Sequence, residues 1–120
     1  MANPFDKTIS LAILKEAEKL GIKCHRGGTI ITIEGPRFST RAESNMFRAW
    51  GADLINMSIA PEASLANEAG IAYAVIAMST DYDCWKEDED PVTWEEILKV
   101  FQRNADNVKQ LLIDTVGTLN

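Results

Sequence analysis

The sequence predicts an α/β fold in which helices flank a layered, mostly parallel or mixed sheet. Short apolar, β-branched segments alternate along the chain with segments of helical periodicity, which is typical of such layers. The run 71–78 is apolar on nearly every residue, as expected for a strand covered on both faces of a parallel sheet. We therefore expect one α/β domain over residues 1–120.

The first two helices are predicted from their apolar spacing. Ile9, Ile13, Ala17 and Leu20 fall on one face at helical intervals. Gly21 is a natural helix end. The second helix is expected to stop at Gly51. Its predicted inner face consists of Ala42, Met46 and Trp50.

Two further helices are predicted from their first turns. Pro61 and Glu62 start the third, because proline is tolerated in the first turn and an early acid complements the helix macrodipole. Thr93 and Glu96 have the spacing of a capping box. The apolar stripe that follows, over 94–112, predicts a long helix packed on another element.

Strands are predicted in the apolar segments between these helices. Residues 22–33 read as two short pieces around Gly27 and Gly28, and a short apolar strand is expected in 52–57. The run 71–78 gives the strongest strand pattern and is expected to be central in the sheet.

Composition and charge exclude several classes of protein. With 12 basic and 18 acidic residues the net charge is −6, which disfavours binding to nucleic acid. Cys24 and Cys84 lie far apart with only His25 as a further soft ligand, so neither a zinc site nor a disulfide framework is predicted. No apolar run approaches the roughly 20 residues that span a bilayer, so we expect no membrane contact and a cytoplasmic location.

Polar residues follow three predicted strands, where ligands of parallel sheets usually bind. In the last, "TDYD", Asp81 and Asp83 point to the same side of an extended segment, and such neighbours tend to keep one carboxyl protonated. A protonated carboxyl offers a donor and an acceptor, matching N7 and the amino group of adenine. A solvated acidic loop is the more common alternative for "DYD" alone.

The other two strand ends carry groups suited to a nucleoside. Phe38 has a face that can stack on a base, and Ser39 and Thr40 have hydroxyls for the edge of the base. Met57 can lie against a sugar, while Ser58 and nearby backbone amides can hold hydroxyls or phosphate. Alternatively, Phe38 plugs the core and Met57 only ends a strand.

Taken together, these segments resemble a known family. "TIEGPRFSTRAESNMFRAWGADLINMSIAPEASLANEAG" and "IAMSTDYDCWKE" are similar to the carboxyl-terminal half of the methylthioadenosine phosphorylases, in the trimeric purine nucleoside phosphorylase family. The resemblance implies phosphate-dependent cleavage of 5'-methylthioadenosine to adenine and 5-methylthioribose 1-phosphate. It implies phosphate as co-substrate, no cofactor or metal, and a homo-oligomer, trimeric in the family.

The resemblance also implies roles for individual residues. Asp81 corresponds to the acid that protonates purine N7, and Asp83 to its neighbour on the amino side. Phe38 and Ser39 correspond to the base pocket, Met57 to the ribose contact, and Ser58 to a sugar or phosphate contact at which the family has Thr. The expected apolar wall of the methylthio pocket consists of Trp94, Ile97 and Leu98, with Trp94 bulkier than the Val expected there.

The phosphate-binding elements of the family bear on whether this chain can be active by itself. Neither its "GGTG"-like loop nor its "RHG" element occurs in this sequence, and Arg37 and Arg41 are expected to support the turn or a subunit contact. We therefore expect the isolated chain to be inactive without a phosphate-binding segment or a second chain. The alternative is a catalytically incompetent domain that retains the fold for binding or assembly, or a nucleoside-binding module without chemistry.

Overall fold

The computed structural model of the chain describes residues 1–80, 82–85 and 93–119. Its elements alternate as predicted and confirm the α/β class. They are α1 (Lys7–Lys19), β1 (Ile30–Thr32), α2 (Arg41–Ala49), β2 (Leu54–Asn56), α3 (Ile59–Glu68) and α4 (Trp94–Thr118). Among the helices in these residues, none has both the length and the apolar character needed to cross a bilayer.

The two strands form a parallel pair, as the sequence predicts. Ile30 is opposite Leu54 and Thr32 is opposite Asn56, and α2 makes the crossover between the strands. The pairing continues one residue further, since the amide of Ile33 donates to the carbonyl of Asn56 across 2.9 Å. The carboxyl ends of both strands therefore lie side by side at one edge of the sheet.

Side-chain caps fix where the helices begin. The predicted capping box at α4 is confirmed: the Glu96 amide donates to Thr93 Oγ1 across 3.3 Å, and the Thr93 amide donates to Glu96 Oε2 across 2.9 Å. Hydrogen bonds from the Thr93 amide and hydroxyl lower the pKa of Glu96. α1 begins in a similar way, because Asp6 Oδ1 accepts from the Ile9 amide across 2.8 Å.

The strongest strand prediction is wrong. Within the described part of the chain, residues 71–80 form no strand. The Ile71 amide instead donates to the Ala66 carbonyl across 2.8 Å, and the Tyr73 carbonyl accepts from the Asp6 amide across 2.7 Å. A strand exists only through a partner, and neither β1 nor β2 pairs with this segment.

Two smaller predictions are corrected as well. Residues 22–28 form no strand, because Gly27 and Gly28 adopt positive φ angles of 72° and 136° that break an extended run. α2 buries Ser44 and Phe47, on the side of the helix opposite the predicted face. The residues of that predicted face stay exposed because nothing in the described chain covers them: Ala42, Met46 and Trp50.

The largest packed region lies between α1 and α4, as predicted for a long amphipathic helix. Ala17 and Leu111 are each only 1% exposed there. The amino-terminal half of the predicted α4 stripe is different, since Trp94 is 63% and Phe101 46% exposed. α4 therefore packs through its carboxyl-terminal half and presents apolar side chains elsewhere.

Candidate active site

A cavity of about 690 Å³ runs along β1 and β2 and includes the residues at their carboxyl ends. Its walls come from α2, from residues 75–80, 82, 83 and 85, and from both strands up to the edge of the sheet at their carboxyl ends. Open parallel sheets bind ligands at this edge. Its lining includes Phe38, Ser39, Ser44, Arg48, Met57, Asp83 and Trp85.

The structure brings together four of the nine residues predicted to form the site. Phe38, Ser39, Met57 and Asp83 all line this cavity. Asp81 lies outside the described residues. Four others do not line the cavity: Ser58, which is the N-cap residue of α3, and Trp94, Ile97 and Leu98 in the first turns of α4.

The turn that carries Phe38 approaches β2 very closely. The Gly35–Pro36 peptide bond is cis. A Cβ atom on Gly35 would lie 2.8 Å from Met57 Sδ, so only glycine fits at this position without displacing Met57. The chain then exposes 77% of Phe38 at the cavity.

One carboxylate fastens this turn to α2. Glu43 accepts from both terminal nitrogens of Arg37, at 2.8 Å and 2.5 Å. The same carboxylate accepts from the Thr40 amide across 2.8 Å and closes the capping box of α2. The hydrogen bond from Arg37, followed by those from Thr40, lowers the pKa of Glu43 to about 2. Arg37 supports the turn, as predicted.

The segment 82–85 docks on the same turn. Cys84 Sγ donates to the Ser39 carbonyl across 3.4 Å, and Arg41 Nε donates to the Cys84 carbonyl across 3.1 Å. Burial, followed by the nearby charge of Asp83, raises the pKa of the Cys84 thiol. Because Asp83 directly precedes Cys84, these bonds restrain the backbone next to Asp83.

Two buried polar atoms of the cavity wall have no hydrogen-bond partner among the described residues: Ser44 Oγ and Asp83 Oδ2. Ser44 is 1% exposed, so water does not replace the partner freely. A buried polar group without a partner costs about 1–3 kcal/mol. A ligand with a hydrogen-bond donor would therefore gain from meeting Asp83 Oδ2.

Side chains from the two strands accept hydrogen bonds from the backbone amides at the amino terminus of α3. Asn56 Oδ1 accepts from the amides of Ser58 and Ile59 across 2.9 Å and 2.8 Å, and Thr32 Oγ1 accepts from the Ala60 amide across 3.0 Å. Backbone amides near Ser58 were expected to hold hydroxyls or phosphate, and this stays a prediction. These amides already have partners within the chain.

Several residues of the cavity wall were not predicted from the sequence. Arg48 lies over the ring of Trp85, with its guanidinium carbon 3.7 Å from the ring centroid, and both line the cavity. Ser44 was also missed. A small polar residue on a helix carries no pattern that predicts burial beside a ligand site, and an arginine such as Arg48, four residues after Ser44, is usually solvent-facing.

No group of three or more His, Cys, Asp or Glu side chains within the described residues is arranged to hold a metal ion. Among the groups that line the cavity are the aromatic face of Phe38, the thioether of Met57, the hydroxyls of Ser39 and Ser44, and the carboxylate of Asp83. These groups suit a flat, apolar ligand with hydrogen-bond donors on its edge.

The fold and this site define a class of protein. Residues 1–117 match the phosphorylase superfamily, and the chain belongs to that family. It is 53% identical over 116 residues to S-methyl-5'-thioadenosine phosphorylase of Danio rerio, and equally to that of Xenopus tropicalis. The predicted family resemblance is thus confirmed. Each match covers 97% of this chain but 41% of the relative, so the chain spans less than half their length.

Solved structures of Schistosoma mansoni proteins share the fold. Methylthioadenosine phosphorylase in complex with adenine matches with a TM-score of 0.90 and 36% identity, over 99% of this chain and 47% of that one. A mutant adenosine/methylthioadenosine phosphorylase in complex with methylthioadenosine matches with a TM-score of 0.88 and 36% identity, over 99% and 46%.

Proposed function

We propose that the chain serves in the phosphorolysis of 5'-methylthioadenosine to adenine and 5-methylthioribose 1-phosphate, with phosphate as co-substrate and no cofactor. The observation that carries this proposal is the buried, unpartnered Asp83 Oδ2 in a cavity that Phe38 and Ser39 also line. An adenine amino group supplies the donor that this oxygen lacks. The relatives named for methylthioadenosine and adenine support the same ligand class.

In this proposal each residue has one task. Phe38 stacks on the base, Ser39 bonds to its edge, and Met57 lies against the ribose. Asp83 accepts from the amino group, and Asp81 donates a proton to N7. That proton draws electrons from the glycosidic bond, a phosphate oxygen attacks C1', and the C1'–N9 pair leaves with adenine.

The remaining proposed contacts extend beyond the described cavity. Ser58 contacts the sugar or phosphate through its hydroxyl. The methylthio group lies against Trp94, Ile97 and Leu98, and the exposure of Trp94 leaves an apolar face available for this. We also propose a cytoplasmic homo-oligomer, which agrees with two unpaired cysteines and with the exposed apolar face of α2.

A second candidate function is nucleoside binding or assembly without turnover. Among the described residues that line the cavity, Arg48 is the only basic one, and its guanidinium lies over Trp85. Arg37 is engaged by Glu43 and Arg41 by the Cys84 carbonyl. Since a phosphoryl group is normally held by Arg or Lys, we expect no adenine release by the 120-residue chain alone.

Adenine binding, followed by calorimetry, tests the proposed purine site. Asp83→Asn replaces one carboxylate oxygen by an amino group, which cannot accept a hydrogen bond from the amino group of adenine. The substitution should therefore weaken adenine binding by about 10-fold or more. Asp106→Asn is the matched control, because Asp106 is an exposed carboxylate on α4 with 86% of its side chain accessible. Equal affinity of wild type and Asp83→Asn would refute the purine site.

An adenine-release assay with methylthioadenosine and phosphate separates the two candidate functions. In a preparation that turns over, Asp81→Asn should lower kcat/KM by about 100-fold or more, as expected for the loss of a positioned proton donor. Adenine binding without release by the isolated chain would favour the second candidate for this chain. Unchanged kcat/KM in Asp81→Asn would remove Asp81 from the acid role.

A further inference from the structure

Glu43 is the hub of a small polar network that lies outside the cavity. Its carboxylate takes four donors: the two terminal nitrogens of Arg37, and the amide and hydroxyl of Thr40, at distances of 2.5 to 2.9 Å. Neither Arg37 nor Glu43 lines the cavity. Any effect of this network on a ligand must therefore pass through another residue.

The network ends at the backbone of Phe38. Arg37 Nη1, which bonds Glu43 Oε2 across 2.8 Å, also donates to the Phe38 carbonyl across 3.1 Å. Residues 37–40 are thus tied at both ends to the first turn of α2, because Thr40 is also its N-cap residue. The backbone that carries Phe38 and Ser39 is thus held by residues that do not line the cavity.

Phe38 itself is not fixed by packing. It is 77% exposed, and the ring pairs found in the described residues are Phe5–Tyr73, Phe47–Trp50 and Tyr82–Trp85. An aromatic ring with so little contact has its position set by the backbone that bears it. A single exposed ion pair stabilises little, but a bidentate guanidinium–carboxylate pair fixes geometry.

We infer that Arg37 and Glu43 are positioning residues that hold Phe38 ready to stack on the purine. This inference rests on the proposed function, since it needs a base in the cavity. Ordering a loop on binding reduces affinity, so a loop ordered in advance binds more tightly. Glu43 therefore acts on affinity through Phe38 without touching the ligand.

A double-mutant cycle on adenine affinity tests this inference. Phe38→Ala should weaken adenine binding by about 10-fold, as expected for the loss of one base–aromatic stack. Glu43→Gln should weaken binding by about 3- to 10-fold, since the loop must then be ordered by the ligand. In the Phe38→Ala background the same Glu43→Gln change should alter the affinity by less than about 2-fold.

Matched variants separate positioning from general stability. Arg37→Lys keeps the charge but loses the bidentate pair and should resemble Glu43→Gln. Glu18→Gln, at an exposed position on α1, should leave the affinity unchanged. An equal effect of Glu43→Gln with and without Phe38, or none at all, would overturn the inference alone. Absence of adenine binding by the wild-type chain would instead overturn the proposed function on which it rests.

Discussion

The side chains of Thr32 and Asn56 meet at the carboxyl ends of the two strands, where Thr32 Oγ1 donates to Asn56 Oδ1 across 3.1 Å. Asn56 Nδ2 also donates to the Ile31 carbonyl across 3.2 Å. Both side chains also accept hydrogen bonds from backbone amides of α3. This pair therefore joins β1, β2 and α3 at one point. The edge of the sheet that borders the cavity is fixed there.

Asn56→Ala should lower the free energy of unfolding by about 1–3 kcal/mol, because it leaves the amides of Ser58 and Ile59 without their acceptor. Urea denaturation followed by circular dichroism measures this. Asn45→Ala is the matched control: Asn45 is exposed on α2, and its loss should cost less than about 0.5 kcal/mol. Similar values for the two variants would show that the Thr32–Asn56 pair does not hold the strand ends.

The Arg37–Glu43 pair should survive mild acid. The folded-state pKa of Glu43 is lowered to about 2 from an ordinary 4.5, so its contribution is present above pH 4.5 and is lost as pH falls toward 2. The stability difference between wild type and Glu43→Gln should therefore be constant above pH 5 and shrink between about pH 4.5 and 2. A carboxyl titration by NMR with a midpoint near 4.5 would contradict the observed network.

The isolated chain should self-associate. Trp50, the C-cap residue of α2, is 65% exposed, and Ile113 on α4 is 66% exposed. Solvent-exposed apolar side chains of this kind favour association. Light scattering after size exclusion should show a mass that rises with concentration. Ile113→Glu should shift the distribution toward the monomer, whereas Lys109→Glu, an exposed charge on the same helix, should not. A monomer at all concentrations would refute this prediction.

The proposed methylthio wall predicts a selective effect of Leu98, which is 39% exposed. Leu98→Ala should weaken methylthioadenosine binding more than adenosine binding, by about 10-fold or more, since such pockets discriminate by about 1–3 kcal/mol. Competition against bound adenine measures both affinities. Leu112→Ala serves as control, because Leu112 is an exposed leucine of the same helix. An unchanged ratio in Leu98→Ala would remove α4 from the substrate site.

Elements governed by local signals were predictable from the sequence. The capping box at Thr93 and the helix ends near Gly21 and Gly51 depend only on neighbours in sequence. The parallel pair followed from the alternation of strands and helices. The run 71–78 has equally strong local character, but a strand also needs a distant partner, and local apolar patterns carry no information about which partner is present.

In the candidate site too, some residues were predictable from local sequence patterns and others were not. Phe38 and Met57 were predictable because each follows a strand, and parallel strands bring such positions to one edge. Asp83 also lines the cavity, but it follows the run 71–78, which forms no strand. Glu43 and Asn56 were not singled out, because their roles depend on donors that only the folded chain brings to them. A residue whose role is to hold another residue in place has no recognisable pattern in a single sequence.

The most direct test of the proposed purine site is a calorimetric comparison of adenine and hypoxanthine binding to the wild-type chain. Asp83 Oδ2 lacks a hydrogen-bond partner among the described residues, and the amino group of adenine supplies a donor where hypoxanthine carries an oxygen. The proposal predicts that adenine binds at least about 10-fold more tightly. Equal affinities for the two bases, or no binding of adenine, would contradict it.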